Sequence, residues 1–324
     1  MRLLRTMWSE AGAGPWGLRP SARGERAASR PEVRHPVDEG ACLPQPRLWD
    51  LIYRLSLRLS RLGRPKYRGG ADQFFESYHG ERHVDWAKYD FRVMLRAQAA
   101  RAIAARTVAA GARVVDVGCG VGDLLGALPE SYRRVGIGYA GNDLRLARCV
   151  TGQGVELVRG SATAIPLASG VAQLVFCLGV LEYVADDDGA LAEMRRILAP
   201  GGWMVLDVAG GAYYPEYRAI IGHLRSYTRS GLDRKLKRAG LRLAQDLERH
   251  PRLSTVHFLG YAALLALHRL LDACGWRRRS LYVRPGVGQA YRAFSTMLLR
   301  LTGDNLWSAA PDERSTFVLV QRAE

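Results

Sequence analysis

The stretch VVDVGCGVGD (114–123) decides how this sequence folds. An apolar run reaches an acid at Asp116, a turn with glycine at every second position follows, and a helical pattern comes next. Glycine suits such a turn because a side chain would keep a ligand away from the backbone. In open α/β sheets, ligands sit at the carboxyl ends of the strands, so the position agrees with the chemistry. The stretch therefore predicts a ligand-binding turn between a buried strand and a helix.

The glycine spacing argues against a dinucleotide site. Such a site is expected to show GxGxxG, together with an acid at the end of the second strand. This chain has GxGxG, and Gly138 stands where that acid is expected. Glycines alone are a weak signal, so the specificity must come from the rest of the chain.

Helical and strand patterns alternate around the turn. Apolar strands separated by helices predict a parallel sheet that is covered on both faces. The fold class is therefore α/β, with helices before the sheet and a helical insertion before its last strand. Strands are predicted at 112–117, 134–137, 155–158, 173–180, 204–208 and 315–320, and helices at 48–62, 90–110, from 122, 142–150 and 187–198.

Residues 112–208 resemble the core of the class I S-adenosylmethionine (SAM)-dependent methyltransferases, the broad group that acts on small molecules. The most specific match is VLEYV (180–184) followed by LAEMRRILAPGG (191–202). The resemblance implies a Rossmann-like, seven-stranded, mostly parallel sheet whose last strand is antiparallel. Further matches in the family's order are VGIGYAGNDLRLAR (135–148), VELVRGSATAIPL (155–167), WMVLDVAG (203–210), HLRSYTRSGLDRKLKRAGL (223–241) and STFVLVQR (315–322).

The resemblance also implies a cofactor, S-adenosyl-L-methionine, and the residues that hold it. On the family's pattern, the strand-end acid and the glycine turn hold the methionyl end of the cofactor. Residues after the second, third and fourth strands lie against the adenine or beneath the cofactor. The implied set is Asp116, Gly118, Cys119 and Gly120 for the methionyl end, Tyr139, Ser161 and Ala162 for the adenine, and Leu178 near the substrate opening.

Three acids that the family usually carries are absent, and Gly138, Ser161 and Gln173 stand in their places. The first of these acids accepts hydrogen bonds from the ribose hydroxyls. A hydrogen bond to a charged group contributes about 1.5–3 kcal/mol, so its loss weakens binding roughly 10–100-fold. Asn142 or Asp143 offers an alternative ribose contact. Two hypotheses follow: an active methyltransferase with weakened or rerouted cofactor binding, or a degenerate fold that serves as a partner or scaffold.

The candidate catalytic residue is His223, because methyl transfer to a hydroxyl is helped by a general base. It lies in a segment expected to border the mouth of the active site; the alternative is a surface histidine that caps a helix. Glu182 is interpreted as structural, and the acidic run 186–188 as a helix N-terminus rather than a metal site. The expected substrate residues are Tyr183, Tyr213, Tyr214 and Tyr217, with no metal.

Four segments are expected along the chain. Residues 1–46 are an Arg/Pro-rich extension without apolar periodicity, for which disorder is expected. Residues 47–110 are expected to form N-terminal helices that cover the active site. Residues 111–251 form the SAM-binding core, and residues 252–324 form a helical lid insertion and the final strand.

The charge distribution bears on partners. The net charge is +16, and residues 1–66 alone hold 13 basic and 6 acidic side chains. A basic amphipathic helix at 48–62 and an apolar stretch at 253–276 favour a small-molecule or lipid-linked acceptor, with peripheral membrane contact; the alternative is that both pack on the domain itself. Nucleic acid is disfavoured, since no basic stripe is interleaved with aromatic residues. Five cysteines without a CxxC pair indicate reduced thiols in the cytoplasm, and the oligomeric state stays open.

Overall fold

A seven-stranded sheet forms the centre of the described structure. The computed structural model describes residues 90–210, 223–247, 253, 256–257, 259–260, 263, 285–302 and 317–322. The strands are β1 (Arg113–Val117), β2 (Arg133–Gly138), β3 (Val155–Arg159), β4 (Ala172–Leu178), β5 (Leu198–Asp207), β6 (Leu241–Asp246) and β7 (Phe317–Arg322). The helices are α1 (Phe91–Thr107), α2 (Asp123–Ala127), α3 (Gly141–Thr151), α4 (Asp187–Ile197), α5 (Arg229–Arg238) and α6 (Pro285–Thr302), with a 3₁₀ turn at Leu181–Tyr183.

The strand order places the glycine turn in a crevice. The strands lie in the order β3-β2-β1-β4-β5-β7-β6, in which β1 to β5 pair in parallel and β7 runs antiparallel to both of its neighbours. The order reverses between β1 and β4, and ligands of open α/β sheets bind at such a switch point. The predicted seven-stranded, mostly parallel sheet with an antiparallel last strand is confirmed.

Both faces of the sheet are covered because successive strand residues point to opposite sides. In β1, Val115 and Val117 lie in one apolar cluster and Val114 in the other. The first cluster is completed by helices α4 and α5, and the second by α1, α2 and α3. The fully buried helical side chains include Leu191, Met194, Leu232 and Leu236 in the first cluster, and Ile103, Ala104 and Leu125 in the second.

Strand β5 begins earlier than the predicted 204 because the chain around the PGG sequence still pairs with β4. Leu198 lies beside Ala172, and the register then shifts before Leu174 meets Trp203. Gly201 has a φ of +69°, which favours glycine and accommodates the irregularity. Strand β4 ends at Leu178 rather than at 180, since Gly179 turns the chain with a φ of +72°.

Several predicted features lie outside the described residues. They include the extension 1–46, the helix 48–62 and most of the apolar stretch 253–276. The helix predicted at 90–110 is observed as α1, which packs against α2 and α6. Within the described ranges, no helix has the length and apolar character needed to cross a membrane.

Phe176 offers a test of the packing between β4 and the helices on its face. It is 1% exposed, and its neighbours in the sheet are Asp116 of β1 and Val205 of β5. Phe176→Ala should lower the free energy of unfolding by about 3–5 kcal/mol, because it removes a large buried ring and leaves a cavity. Chemical denaturation followed by circular dichroism measures this loss. Glu156→Ala, at an exposed position of β3, should change it by less than about 0.5 kcal/mol.

Candidate functional site

The glycine turn at 118–122 is anchored to the neighbouring strand. The amides of Gly118 and Cys119 both donate to the carbonyl oxygen of Ile137, at 2.8 and 3.1 Å, and the amide of Gly122 donates to Cys119 at 2.9 Å. Within the described part of the chain, the amides of Gly120 and Val121 make no backbone hydrogen bond. Gly118 and Cys119 therefore hold the turn in place, while the next two amides remain for an acceptor on a ligand.

Glycine is required in this turn for steric reasons. Gly118 has a φ of +81°, and a Cβ there would overlap the side chain of Val180, which follows β4. Gly122 also has a φ of +81°, and a Cβ there would lie 2.5 Å from Thr151 Cγ2 on α3. The segment after β4 and helix α3 thus close onto the turn from two sides.

Asp116 is buried at the exit of β1, with an exposed fraction of 5%. Burial raises the pKa of Asp116 to about 7; the Arg96 guanidinium opposes the rise and Asp123 adds to it. Desolvation disfavours the charged carboxylate, so a cation placed beside it favours ionisation. The acid is therefore poised to change protonation near neutral pH.

Gly179, which follows β4, lies near the side chains of Arg96 on α1 and of Glu182 in the 3₁₀ turn. A Cβ on Gly179 would lie 3.7 Å from Arg96 Nη2 and 3.9 Å from Glu182 Oε1. Arg96 Nη2 donates to Asp207 Oδ2 at 3.1 Å, which connects α1 to the end of β5. Sequence reasoning missed Arg96 and Asp207. The strand-end position of Asp207 was a usable signal, whereas nothing in the pattern of α1 indicates that Arg96 reaches this edge.

His223 and Glu182 form a buried pair. His223 Nε2 lies 3.9 Å from Glu182 Oε1, and both side chains are about 5% exposed. The ring of Tyr183 meets the His223 ring edge-on, with centroids 4.6 Å apart. The alternative of a surface histidine capping a helix is wrong, because His223 is buried and the N-cap of α5 is Thr228.

Asp187 fixes the segment that carries His223. Its carboxylate accepts from the Tyr227 hydroxyl at 2.9 Å and from Lys235 Nζ at 3.1 Å, and it pairs with Arg225. Burial alone would raise the pKa of Asp187, but hydrogen bonds from these three side chains outweigh it and hold the pKa below its ordinary value. The neighbouring Asp186 caps α4 by accepting from the Gly189 amide, so the acidic run is a helix N-terminus, as predicted.

The other predicted cofactor residues follow the carboxyl ends of β2, β3 and β4. Tyr139 is 51% exposed, and its carbonyl accepts from Arg159 Nε at 3.2 Å. The Ser161 hydroxyl lies 2.9 Å from that of Thr163 and accepts from the Thr163 amide, which shapes the loop after β3. Ala162 and Leu178 are partly buried against the two core clusters.

Two of the three missing acids have a structural explanation. A Cβ on Gly138 would lie 2.6 Å from Leu144 Cδ2, so Leu144 occupies the room that a side chain would take. Gln173 lies at the amino end of β4, where its Oε1 accepts from the Arg113 amide at 2.8 Å. The amino ends of the parallel strands are on the opposite side of the sheet from the glycine turn, which follows the carboxyl end of β1. The residue at 173 therefore does not contact a ligand at the glycine turn.

The predicted substrate residues Tyr213, Tyr214 and Tyr217 lie outside the described residues. Of the predicted substrate set, Tyr183 is described, and it contacts His223. In the ranges that the structure covers, no three histidine, cysteine or acidic side chains converge in a way that could hold a metal ion.

Known proteins match the part of the chain that contains this site. A family model described as a methyltransferase domain matches residues 115–206. A malonyl-[acyl-carrier protein] O-methyltransferase of Methylococcus capsulatus is 31% identical over 182 residues, covering 51% of this chain and 62% of that protein. The chain carries a class I SAM-dependent methyltransferase domain. SAM is the cofactor of such a domain.

Other relatives of this methyltransferase domain cover smaller shares. A ubiquinone biosynthesis O-methyltransferase of Thiobacillus denitrificans is 34% identical over 126 residues, covering 36% of this chain and 53% of that protein. Phosphoethanolamine N-methyltransferase 2 of Haemonchus contortus, solved with SAM, superposes with a TM-score of 0.50 at 14% identity, covering 80% of this chain and 61% of that one; this likeness supports the fold alone. The chain spans about three-fifths or less of the length of these curated relatives.

Replacing Asp187 tests whether its carboxylate anchors the segment that carries His223. Asp187→Asn should lower the free energy of unfolding by about 3 kcal/mol at pH 7, because Arg225 and Lys235 lose their buried counter-charge. Since the pKa of Asp187 is lowered in the folded state, the difference from the wild type should shrink as the pH falls below about 4. Urea denaturation at pH 7 and at lower pH measures both effects.

The matched control for this measurement is Asp188→Asn. Asp188 is the next residue, is half exposed and pairs with Lys235 at the surface. Its loss should cost no more than about 0.5 kcal/mol. Equal effects of the two substitutions would show that the Asp187 network does not anchor the segment.

Proposed function

We propose that this chain transfers a methyl group from SAM to an oxygen atom of a small-molecule or lipid-linked acceptor. The observation that carries the proposal is the buried pair of His223 and Glu182, 3.9 Å apart. Glu182 borders Gly179, and one residue beyond Gly179 is Val180, whose side chain lies over Gly118 of the cofactor turn. The segment that leaves β4 therefore contacts the glycine turn through Val180 and the proposed base through Glu182.

The residues present fit a SAM-like ligand at the glycine turn. Bound SAM supplies a methyl group made electrophilic by the sulfonium centre. Asp116 is a buried carboxylate suited to a cationic group, and the amides of Gly120 and Val121 suit an anionic or carbonyl oxygen. Arg96, beside Asp116 and Asp207, is suited to the carboxylate of the methionyl part. Tyr139 offers an exposed ring beside the exit of β2.

The role we assign to the buried pair is proton removal from the acceptor. The imidazole of His223 accepts the proton of the acceptor hydroxyl as that oxygen attacks. The nearby Glu182 carboxylate stabilises the imidazolium that forms, since the two groups are buried together. Tyr183 restrains the imidazole through its edge-on contact.

The acceptor class draws support from the relatives. Two of them are named as O-methyltransferases, one acting on malonyl-[acyl-carrier protein] and one in ubiquinone biosynthesis. A carboxylate acceptor carries no proton at neutral pH, whereas a sugar or quinol hydroxyl does. A buried histidine base is useful only for the second kind, and we therefore favour a hydroxyl acceptor.

The alternative is a degenerate methyltransferase fold that acts as a partner or scaffold. Its support is Gly138, which stands where the family carries the ribose-binding acid, with Leu144 packed into the space. Cofactor binding separates the two functions, because a scaffold needs none.

Titration calorimetry with S-adenosylhomocysteine tests the cofactor site. We expect binding, with an affinity that falls about tenfold between pH 8 and pH 6. Below pH 7 the free Asp116 holds a proton, which must leave before the carboxylate can pair with the ligand's ammonium group. Asp116→Asn should bind more weakly at pH 8 and show a flatter pH profile. No binding at millimolar ligand would favour the scaffold instead.

The effect of the substitution His223→Gln on turnover should differ between hydroxyl and carboxylate acceptors. With hydroxyl acceptors, kcat should fall by roughly 10²–10⁴-fold, because the general base is lost. With carboxylate acceptors, it should stay within about twofold. The rate at which S-adenosylhomocysteine forms from SAM, in the presence of a panel of phenols, sugars and carboxylic acids, measures both effects.

The control for this substitution is His257→Gln. His257 is also buried, but it accepts from the Phe91 amide and contacts the Tyr291 hydroxyl, so it should affect stability rather than turnover. Unchanged turnover of His223→Gln with every hydroxyl acceptor that the wild type methylates would remove histidine from the mechanism.

A further inference from the structure

Helix α3 presents one buried stripe to the glycine turn. Asp143, Ala147 and Thr151 are spaced four residues apart, so they lie on one face of the helix. Ala147 and Thr151 pack on Gly122, where an added Cβ would come within 3.2 Å of Ala147 Cβ and 2.5 Å of Thr151 Cγ2. Asp143 continues this stripe by one turn towards the carboxyl end of β2.

Asp143 differs from Ala147 and Thr151 because its side chain ends in a carboxyl group. Its exposed fraction is 7%, and a buried carboxylate is costly unless the site compensates it. The charge is felt at the glycine turn: burial raises the pKa of the Cys119 thiol, and the carboxylates of Asp116 and Asp143 raise it further. Two acids therefore lie near Cys119, one from β1 and one from α3.

At the end of β2, an acid in place of Gly138 would have to displace the side chain of Leu144. Leu144, the residue after Asp143, fills the space beside Gly138, so the strand end is apolar. The first turn of α3 thus places Leu144 beside Gly138 and, through the preceding residue Asp143, a carboxyl group near the glycine turn. Gly138 leaves room for Leu144, and Asp143 supplies an acid close to the position from which the strand-end acid is missing.

We propose that Asp143 binds the ribose hydroxyls of the cofactor, in place of an acid at position 138. The inference rests on the proposed function, since it requires that SAM binds at the glycine turn. A carboxylate accepts two hydrogen bonds from neighbouring hydroxyls, which gives the site its preference for an intact ribose. It also explains how the site can lack the strand-end acid and still recognise a nucleoside.

The test compares S-adenosylhomocysteine with its 2′,3′-dideoxy analogue by titration calorimetry. The wild type should bind the intact ligand roughly 10–100-fold more tightly than the dideoxy analogue. Asp143→Asn should lose most of this difference, by weakening the intact ligand and leaving the analogue nearly unchanged. Asp123→Asn is the control: its carboxylate is in the first turn of α2, and its loss should leave the ratio of the two affinities as it is.

The outcomes separate the inference from the function on which it rests. A carboxylate that only stabilises the N-terminal turn of α3 would, on replacement, weaken both ligands equally, and this result would overturn the role of Asp143. A wild-type ratio near one would do the same while the methyltransferase function stands. No binding of either ligand to the wild type would overturn both proposals. Thermal denaturation of Asp143→Asn verifies that the variant is folded before the titration is read.

Discussion

The carbonyl oxygen of Ile137 holds the site together. It accepts two successive amides of the glycine turn, so the loop after β1 is fastened to β2 before any ligand arrives. Because the two strands are parallel neighbours in register, this bond fixes where the turn leaves the sheet. The amides of Gly120 and Val121, the acid at Asp116 and the first turn of α3 then all take their positions from it. A preformed turn of this kind spends little conformational entropy on binding.

Glycine at 118 has a second consequence beyond the turn. Without a side chain there, Val180 can lie against the backbone, and the segment after β4 approaches the glycine turn. The same segment continues into Glu182 and Asp187, and Asp187 fastens the chain from 223 to 227 through Arg225, Tyr227 and Lys235. The segment that follows β4 thus contacts both the glycine turn and the part of the chain that carries His223.

The sequence was sufficient for the fold because its signals are local. Apolar runs and glycines predicted the strands, and the turn at 114–123 predicted the ligand-binding end of the sheet. The number of strands and the antiparallel last strand came from the family resemblance. The rim of the site could not be found in this way. Arg96 belongs to a helix whose placement over β4 and β5 depends on tertiary packing, and the burial of His223 depends on contacts with residues some forty positions earlier. The structure was also needed to show that Gly138 lies on the side of the glycine turn and Gln173 does not. Gly138 is at the carboxyl end of β2, whereas Gln173 is near the amino end of β4.

The charged side chains around the glycine turn indicate which kind of ligand it favours. Asp116 and Asp143 are both buried near Cys119, and burial raises the pKa of Asp116 to about 7. Arg96 relieves Asp116 only in part, because its side chain is 47% exposed and pairs with Asp207. A ligand that brings a cationic group to one acid and hydroxyl donors to the other compensates both burials at once. The arrangement therefore favours a charged nucleoside over a neutral apolar molecule, on grounds that do not depend on the family resemblance.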